Sequence, residues 1–220
     1  NLIGDKSMLR QTYDRLTNDF EIENIYISSN LKFKDLIRKI IPEIPERNIV
    51  LEPLSMDTGP AICLATAYLA KLGYEKTIYV SCDHQILNVP EFIRLIKISV
   101  SSLDKYPNKI ALIGLNPTSP STSLGYIEMS EPIDRIDGEV IFTVNSFREK
   151  PDLESAKNFI NDWRYLWNAS YFIFRNDVML AEFEKNAKVT LELVNEALEF
   201  AFDSEEFEKK YSQTFKQAFD

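Results

Sequence analysis

The chain alternates short apolar runs with segments of helical periodicity, and this alternation restricts its fold more than any other feature. Strands are predicted over residues 22–29, 48–53, 77–83 and 109–115. Helices are predicted over residues 31–40, 59–73 and 89–103, and an earlier one over residues 7–19 with Ser7 as its N-cap. Apolar strands separated by helices of this length form βαβ units, so we expect an α/β fold with a mostly parallel sheet sandwiched by helices.

The pattern changes after Leu115. Residues 116–125 are rich in Pro, Ser and Thr and lead into a further strand. Residues 139–151 alternate in the manner of an antiparallel strand, and residues 165–175 form a strand with a polar interruption at 168–170. Helices are predicted over residues 177–186, 191–202 and 205–218. The sequence therefore predicts one domain over residues 1–220, with an antiparallel β-layer inserted into the α/β fold.

Composition argues against several classes of protein. The formal net charge of −9 disfavours a protein that binds nucleic acid non-specifically, because such a protein needs a basic face. No apolar run approaches the roughly 18–20 residues that cross a bilayer, and residues 1–5 lack the basic and apolar regions of a secretory leader. We therefore expect a cytoplasmic protein that interacts with neither nucleic acid nor membrane.

The two cysteines, Cys63 and Cys82, are too few for a disulfide framework in a chain of this length. Both lie in apolar sequence, which predicts small buried thiols in a reducing compartment. With a single histidine, His84, the chain also lacks the ligands that a structural zinc site requires.

The third predicted strand ends at Asp83, directly before His84. Right-handed crossovers bring the carboxyl ends of parallel strands to one edge of the sheet, where ligands bind. A carboxylate there suits Mg²⁺ held against phosphate oxygens, because this cation prefers oxygen ligands. Asp83 could equally cap the helix that begins near Val89 or stabilise the loop. His84 could bond a phosphate or a sugar hydroxyl, although a structural role is the commoner one.

The segment from Glu52 to Pro60 is a second candidate. Thr58 supplies a capping hydroxyl, Gly59 permits close approach to the backbone, and Pro60 is tolerated in the first helical turn. Such a helix start can bind an anion or a base edge, and the Glu52 carboxylate could accept two hydrogen bonds from guanine. The alternative is a loop bounded by prolines that leads into an ordinary helix.

Two further candidates follow later strands. Glu149 could accept hydrogen bonds from sugar hydroxyls and Lys150 could contact a phosphate, or the two could form a solvated turn. Asn168 lies among aromatic residues, where its amide could read the orientation of a sugar hydroxyl or could pair with the neighbouring backbone. The residues by themselves leave each choice open.

Taken in chain order, five stretches resemble the motifs of one enzyme family. They are NIVLEPLSMDTGPAI (residues 48–62), VSCDHQI (80–86), GLNPTSPSTSLGYIE (114–128), FREKP (147–151) and YLWNASYFIF (165–174). Through these stretches the chain resembles the bacterial mannose-1-phosphate guanylyltransferases, or GDP-mannose pyrophosphorylases, of the sugar nucleotidyltransferase superfamily. The similarity runs from the first residue to about Asn186. It implies a Rossmann-like fold of the nucleotide-diphospho-sugar transferase type.

The resemblance also implies a reaction: GTP and mannose 1-phosphate give GDP-mannose and pyrophosphate, by in-line attack on the α-phosphate with Mg²⁺ as cofactor. GDP-mannose of this origin would supply polysaccharide synthesis. By position, Asp83 matches the family's metal-binding and catalytic aspartate, and Lys150 matches a catalytic lysine that contacts phosphate. The matching nucleotide-binding residues are Glu52, Pro53, Thr58 and Gly59, and the matching sugar-binding residues are Gly125, Glu149 and Asn168.

The chain departs from the family pattern in ways that set further expectations. It begins at Asn1 without the family's glycine-rich loop, and a second metal-binding aspartate is expected beyond Asp220, so the 220 residues themselves are expected to be inactive. Ser121, Ser123 and Leu124 stand where the family often has Glu, Gly and Tyr. Two alternatives therefore stay open: a nucleotidyltransferase for another sugar 1-phosphate, and a non-catalytic subunit that binds a sugar nucleotide. A homodimer is compatible with either.

Overall fold

A computed structural model describes residues 5–55, 57–200, 202 and 204–219, with the side chains described as far as residue 213. The chain divides into two compact units. Unit 1 contains the described residues of Asn1–Thr77, Cys82–Leu87 and Arg175–Asp220, and unit 2 contains Ile78–Ser81 and Asn88–Phe174. That residues 1–220 form a single domain stays a prediction.

Unit 1 is built on two parallel strands surrounded by helices. β1 (Ile27–Asn30) and β2 (Ile49–Glu52) pair in parallel, with Ile27 opposite Ile49 and Asn30 opposite Glu52. The helices are α1 (Met8–Leu16), α2 (Lys34–Ile40), α3 (Thr58–Lys71), α6 (Asn176–Asn186), α7 (Lys188–Ala197) and α8 (Glu205–Phe219). Ser7 caps α1 through a hydrogen bond from the Arg10 N–H, as the sequence predicts.

Two apolar clusters hold unit 1 together. In the first, Val50 of β2 packs with Leu64 of α3, Val194 of α7 and Tyr211 of α8, all of them fully buried. The second joins α1, α2 and the other face of the strands, and its buried members are Tyr13, Ile25, Ile27, Ile37, Ile41, Ile44, Ile49 and Leu51. All four residues of β2 are buried, as expected for a strand covered on both faces.

The predicted strand over residues 22–29 is wrong in its first half, because Ile22–Asn24 forms a 3₁₀ helix and β1 begins at Ile27. Asn48 explains the difference. Its fully buried side-chain amide donates to the carbonyl oxygens of Ile22, Glu23 and Ile25 at 3.3, 3.0 and 2.9 Å. These bonds fix the tight turn before β1.

Unit 2 is centred on a five-stranded sheet, whose first strand in the chain is β3 (Lys76–Tyr79). The order is β3-β7-β5-β6, and β4 (Ala111–Leu115) also pairs with β7 (Tyr165–Arg175). β5 (Tyr126–Ile136) is antiparallel to both β6 (Glu139–Arg148) and β7, and β4 is antiparallel to β7. Two helices complete the unit, α4 (Val89–Lys105) and α5 (Leu153–Phe159).

The α/β class and the antiparallel layer are confirmed, and the predicted bounds of β7 agree with the structure. The fourth predicted strand, β4, was expected in the parallel sheet. It pairs instead with β7 in antiparallel orientation. The sequence also gave no prediction of α5, which Asp152 begins by accepting a hydrogen bond from the Ser155 N–H at 2.7 Å. No helix of the described chain has the length and apolarity that crossing a membrane requires.

Replacing Asn48 tests the turn before β1. Asn48→Ala removes the amide that donates to three carbonyl groups and leaves the buried Ile25 carbonyl without this donor, so we expect it to lower the free energy of unfolding by about 1–3 kcal/mol. Urea denaturation measures the change. Asn161→Ala is the matched control, because its amide donates one exposed bond to Lys157 and should cost less than about 1 kcal/mol. Equal losses in the two variants would contradict the role assigned to Asn48.

Candidate functional site

Asp83 lies in an irregular segment of unit 1, between β3 and α4. β3 ends at Tyr79, so the prediction that this strand continues to Asp83 is wrong. The Asp83 side chain is 77% exposed, and its Oδ1 lies 3.7 Å from Nε2 of His84. Asp83 does not cap α4, because Asn88 is the N-cap and accepts the Glu91 N–H. An exposed carboxylate beside an imidazole is therefore available to a ligand.

The two cysteines differ in their surroundings. Cys63 is buried in α3, as predicted, and burial raises the pKa of its thiol to about 12. Cys82 is exposed, so the prediction that it is buried is wrong. The reason is that the chain has already left the sheet at Cys82, and the apolar sequence before it no longer forms a covered strand.

The chemistry of Asp83 fits Mg²⁺. Among the described residues there is no group of three or more His, Cys, Asp or Glu side chains that could enclose a metal ion. Mg²⁺ does not need such a group, because it keeps several waters and is commonly held by one or two carboxylates together with substrate phosphates. The exposed carboxylate oxygens of Asp83 are ligands of that kind.

The predicted nucleotide segment leads from β2 into α3. α3 begins at Thr58, one residue before the predicted start at Gly59, and its N-cap is Asp57, whose carboxylate accepts the Thr58 N–H at 2.8 Å. The prediction that the Thr58 hydroxyl caps the helix is therefore wrong, and this hydroxyl belongs to the first helical turn. Thr58 and Gly59 are exposed, and a Cβ atom at Gly59 would meet nothing within 4 Å. This helix start is thus open to a ligand, while Pro53 is half-buried.

Glu52, the last residue of β2, is buried, with 7% of its surface exposed. Burial raises the pKa of its carboxyl to about 7, against an ordinary value of 4.5, and a hydrogen bond with the Tyr211 phenol opposes part of this rise. Burial likewise raises the pKa of Tyr211. The Oε2 atom of Glu52 has no hydrogen-bond partner among the described residues. Spacing in the sequence did not point to Tyr211 as the neighbour of this carboxyl.

The three predicted sugar-binding residues come together in unit 2. The Asn168 N–H donates to the Gly125 carbonyl at 2.8 Å. A Cβ atom at Gly125 would lie 2.5 Å from Oε2 of Glu149 and 3.6 Å from Cβ of Asn168. The lack of a side chain at residue 125 therefore makes room for the Glu149 carboxylate. We call Gly125, Glu149 and Asn168 the three-strand cluster.

For Asn168, and for Glu149 with Lys150, the structure shows the interactions that the sequence offered as alternatives to sugar binding. The Asn168 Oδ1 accepts the Ser170 N–H at 3.1 Å, so its amide does pair with the neighbouring backbone. Lys150 adopts a positive φ of 42°, and its Nζ lies 3.8 Å from Oε1 of Glu149, with both side chains exposed. The exposed pair provides one carboxylate and one ammonium group that a polar ligand can reach.

A cavity of about 510 Å³ adjoins Glu149 within unit 2. Its lining residues are Phe147, Arg148, Glu149, Pro151, Asp152, Ser155, Phe159 and Tyr165. Phe159 and Tyr165 stack with a centroid distance of 4.1 Å and form an aromatic wall. Sequence reasoning did not identify this wall, since the helix that supplies Phe159 was not predicted.

Comparison with known proteins identifies the family. The family model described as Nucleotidyl transferase matches residues 2–212. The chain belongs to this nucleotidyl transferase family. Its members with similar sequence include mannose-1-phosphate guanylyltransferases from Klebsiella pneumoniae, 30% identical over 94% of this chain, and from Escherichia coli, 29% identical over 94%. The chain spans 44% of the length of each of these two relatives.

Two solved structures share the fold of this chain. The crystal structure of mannose-1-phosphate geranyltransferase from Thermus thermophilus superposes with a TM-score of 0.81 at 24% identity, covering 94% of this chain and 58% of that one. The crystal structure of mannose-6-phosphate isomerase from Helicobacter pylori gives a TM-score of 0.72 at 25% identity, covering 90% and 73%. The Rossmann-like fold of the nucleotidyltransferase type is thereby confirmed.

The raised pKa of Glu52 predicts a pH-dependent stability. Folding favours the neutral carboxyl, so its stabilising contribution is complete below about pH 4.5 and is lost as the pH rises through about 7. Glu52→Gln stays neutral throughout. We therefore expect the variant and the parent to be equally stable near pH 4.5, and the variant to be more stable by roughly 3 kcal/mol above pH 7.5.

Urea denaturation of both proteins between pH 4.5 and 8.5 measures this difference. Glu199→Gln serves as control, because Glu199 is an exposed carboxylate of the same unit. A constant difference between the Glu52 variant and its parent across this range would contradict a buried neutral carboxyl.

Proposed function

We propose that the protein transfers the guanylyl group of GTP to mannose 1-phosphate. A phosphate oxygen of the sugar phosphate attacks the α-phosphorus of GTP in line. The bond from that phosphorus to the oxygen bridging to the β-phosphate breaks, and pyrophosphate leaves as GDP-mannose forms. Membership of the nucleotidyl transferase family and similarity to mannose-1-phosphate guanylyltransferases support this activity. The close approach of Glu149 and Asn168 around Gly125 is the observation that carries the proposal.

In this proposal the three-strand cluster binds the sugar. The exposed Glu149 carboxylate accepts hydrogen bonds from sugar hydroxyls, and the Asn168 amide donates to another. Gly125, which has no side chain, leaves the space that the Glu149 carboxylate occupies in this site. Lys150, adjacent to Glu149, contacts the phosphate of the sugar with its ammonium group and neutralises charge there.

The nucleotide is assigned to the residues between β2 and α3. Thr58 and Gly59 offer an exposed helix start to the nucleotide, and Pro53 shapes the preceding turn. Glu52 is assigned to the guanine edge, where its unpartnered Oε2 would accept from N1–H and N2–H₂. Asp83 would hold Mg²⁺, which neutralises negative charge on the phosphate oxygens when it is bound.

The first experiment measures pyrophosphate release by the full-length protein with GTP, Mg²⁺ and either mannose 1-phosphate or glucose 1-phosphate. We expect release with mannose 1-phosphate. Asp83→Asn removes the proposed metal ligand and should lower the rate at least about a hundredfold. Asp35→Asn, at an exposed position on α2, is the matched control and should retain the rate of the parent.

The outcomes separate the proposals. Release with glucose 1-phosphate instead would support the same nucleotidyl transfer but with glucose 1-phosphate as the substrate. No release with either sugar phosphate would favour a non-catalytic subunit that binds a sugar nucleotide. A normal rate in Asp83→Asn would remove Asp83 from metal binding.

Gly125→Ala tests the three-strand cluster. The added methyl group would lie 2.5 Å from Oε2 of Glu149, which is the end of a flexible side chain and can move away. We expect the fold to persist while the displaced carboxylate raises the KM for the sugar phosphate about tenfold, with the KM for GTP unchanged. Steady-state kinetics with each substrate varied in turn measure both constants.

Gly138→Ala is the control for stability loss. Gly138 has a φ of +88°, and a Cβ atom there would meet nothing within 4 Å, so its replacement strains the backbone without touching the cluster. Its KM for sugar phosphate should equal that of the parent. An equal rise in the two variants would contradict the role of the cluster in sugar binding.

A further inference from the structure

Two side chains of α1 contact the segment that carries Asp83. The Thr12 hydroxyl donates to the Cys82 carbonyl at 3.3 Å, and the Arg15 guanidinium donates to the His84 carbonyl at 3.4 Å. Cys82 and His84 are the immediate neighbours of Asp83 in the chain. The two acceptor residues therefore precede and follow Asp83 in the chain, and all of these residues belong to unit 1.

Both donors are buried, although both are polar. Thr12 is 5% exposed and Arg15 is 8% exposed. They are three residues apart, so they lie on the same face of α1. Burial of an arginine is costly unless its donors find acceptors. Apolar packing alone would therefore not favour Arg15 at this position. Its hydrogen bond to the His84 carbonyl offsets part of the cost of burial.

The contacted segment has no regular structure of its own. β3 ends at Tyr79 and α4 begins at Val89, and Cys82 and Asp83 form a bend between them. The Thr12 bond holds the peptide group between Cys82 and Asp83, and the Arg15 bond holds the peptide group between His84 and Gln85. Because these bonds are donated from a capped helix, they restrict the backbone before and after Asp83, and the direction of the Asp83 side chain depends on that backbone.

We propose that Thr12 and Arg15 are positioning residues that hold the carbonyl groups of Cys82 and His84 and so direct the Asp83 carboxylate towards a nucleotide-bound divalent cation. This rests on the proposed role of Asp83 as a metal ligand. A carboxylate held in place loses less conformational freedom when it binds the cation, so the affinity for the metal is higher. The two α1 residues would act through the segment and would not touch substrate.

The test uses the full-length protein with two variants that remove a donor at nearly constant volume, Thr12→Val and Arg15→Met. Arg15→Lys keeps a cationic donor and serves as the conservative variant. Thr17→Val and Arg10→Met are matched controls. The Thr17 hydroxyl bonds to Asp14 within the same helical region, and Arg10 forms ion pairs with Asp14 and Glu43.

Three measurements are made. The first is the dissociation constant of Mn²⁺ in the presence of GTP, from the electron paramagnetic resonance signal of free Mn²⁺, since Mn²⁺ prefers the same oxygen ligands as Mg²⁺. The second is amide hydrogen exchange of residues 82–88 without metal or nucleotide. The third is Tm, which shows whether each variant folds.

We expect Thr12→Val and Arg15→Met each to weaken Mn²⁺ binding about fivefold, the change that corresponds to one lost hydrogen bond. Exchange over residues 82–88 should become faster in both variants. Arg15→Lys should recover part of the affinity, and the two controls should bind Mn²⁺ like the parent.

Asp83→Asn, measured alongside, separates this inference from the proposed function. Unchanged Mn²⁺ affinity in Asp83→Asn would overturn the metal role of Asp83 itself. Weaker affinity in Asp83→Asn with parental affinity in both Thr12→Val and Arg15→Met would overturn the positioning role and leave the metal site standing. Equal weakening in the control Arg10→Met would also overturn it, because the effect would then come from α1 in general.

Discussion

The register of β5 with its two neighbours is the constraint on which the proposed sugar site depends. Tyr126 lies opposite Arg148 of β6 and also opposite Trp167 of β7. The next position on each strand therefore brings Gly125, Glu149 and Asn168 side by side, although they are distant in sequence. Because side chains alternate between the faces of a sheet, a slip of one residue in either pairing would separate these three residues.

Tyr126 anchors the start of β5 in the core. It is fully buried, packs against Phe159 of α5 with ring centroids 5.2 Å apart, and its hydroxyl donates to the Ser121 carbonyl while accepting the Ser121 N–H. Glu128 adds a second fixed point further along β5, since it accepts a hydrogen bond from the Ser146 hydroxyl of β6 at 2.6 Å. The Glu128–Ser146 bond thus joins β5 to β6 in the register that places Gly125 opposite Glu149.

Local signals in the sequence predicted much of this fold, and tertiary contacts account for the rest. Periodicity predicted the bounds of β7, and the start of α3 to within one residue, because those elements follow their own side-chain pattern. It missed the turn before β1, which depends on the distant Asn48, and the end of β3, beyond which Cys82 bonds to α1. The three-strand cluster was predicted by resemblance to a family. The spacing of its residues does not encode the strand register that joins them.

The same limit applies to Glu52. Sequence indicates a carboxylate at a strand end, but its protonation depends on burial beside Tyr211, which α8 supplies from the far end of the chain. A neutral Glu52 carboxyl avoids repulsion with the phosphates of a nucleotide. To recognise guanine by accepting two hydrogen bonds from its edge, however, the same carboxyl must be ionised. Hydrogen bonds donated by guanine would favour that ionised form and lower the pKa of Glu52. In the proposed role of Glu52, base recognition and the cost of burying this charge would therefore be coupled through a single proton.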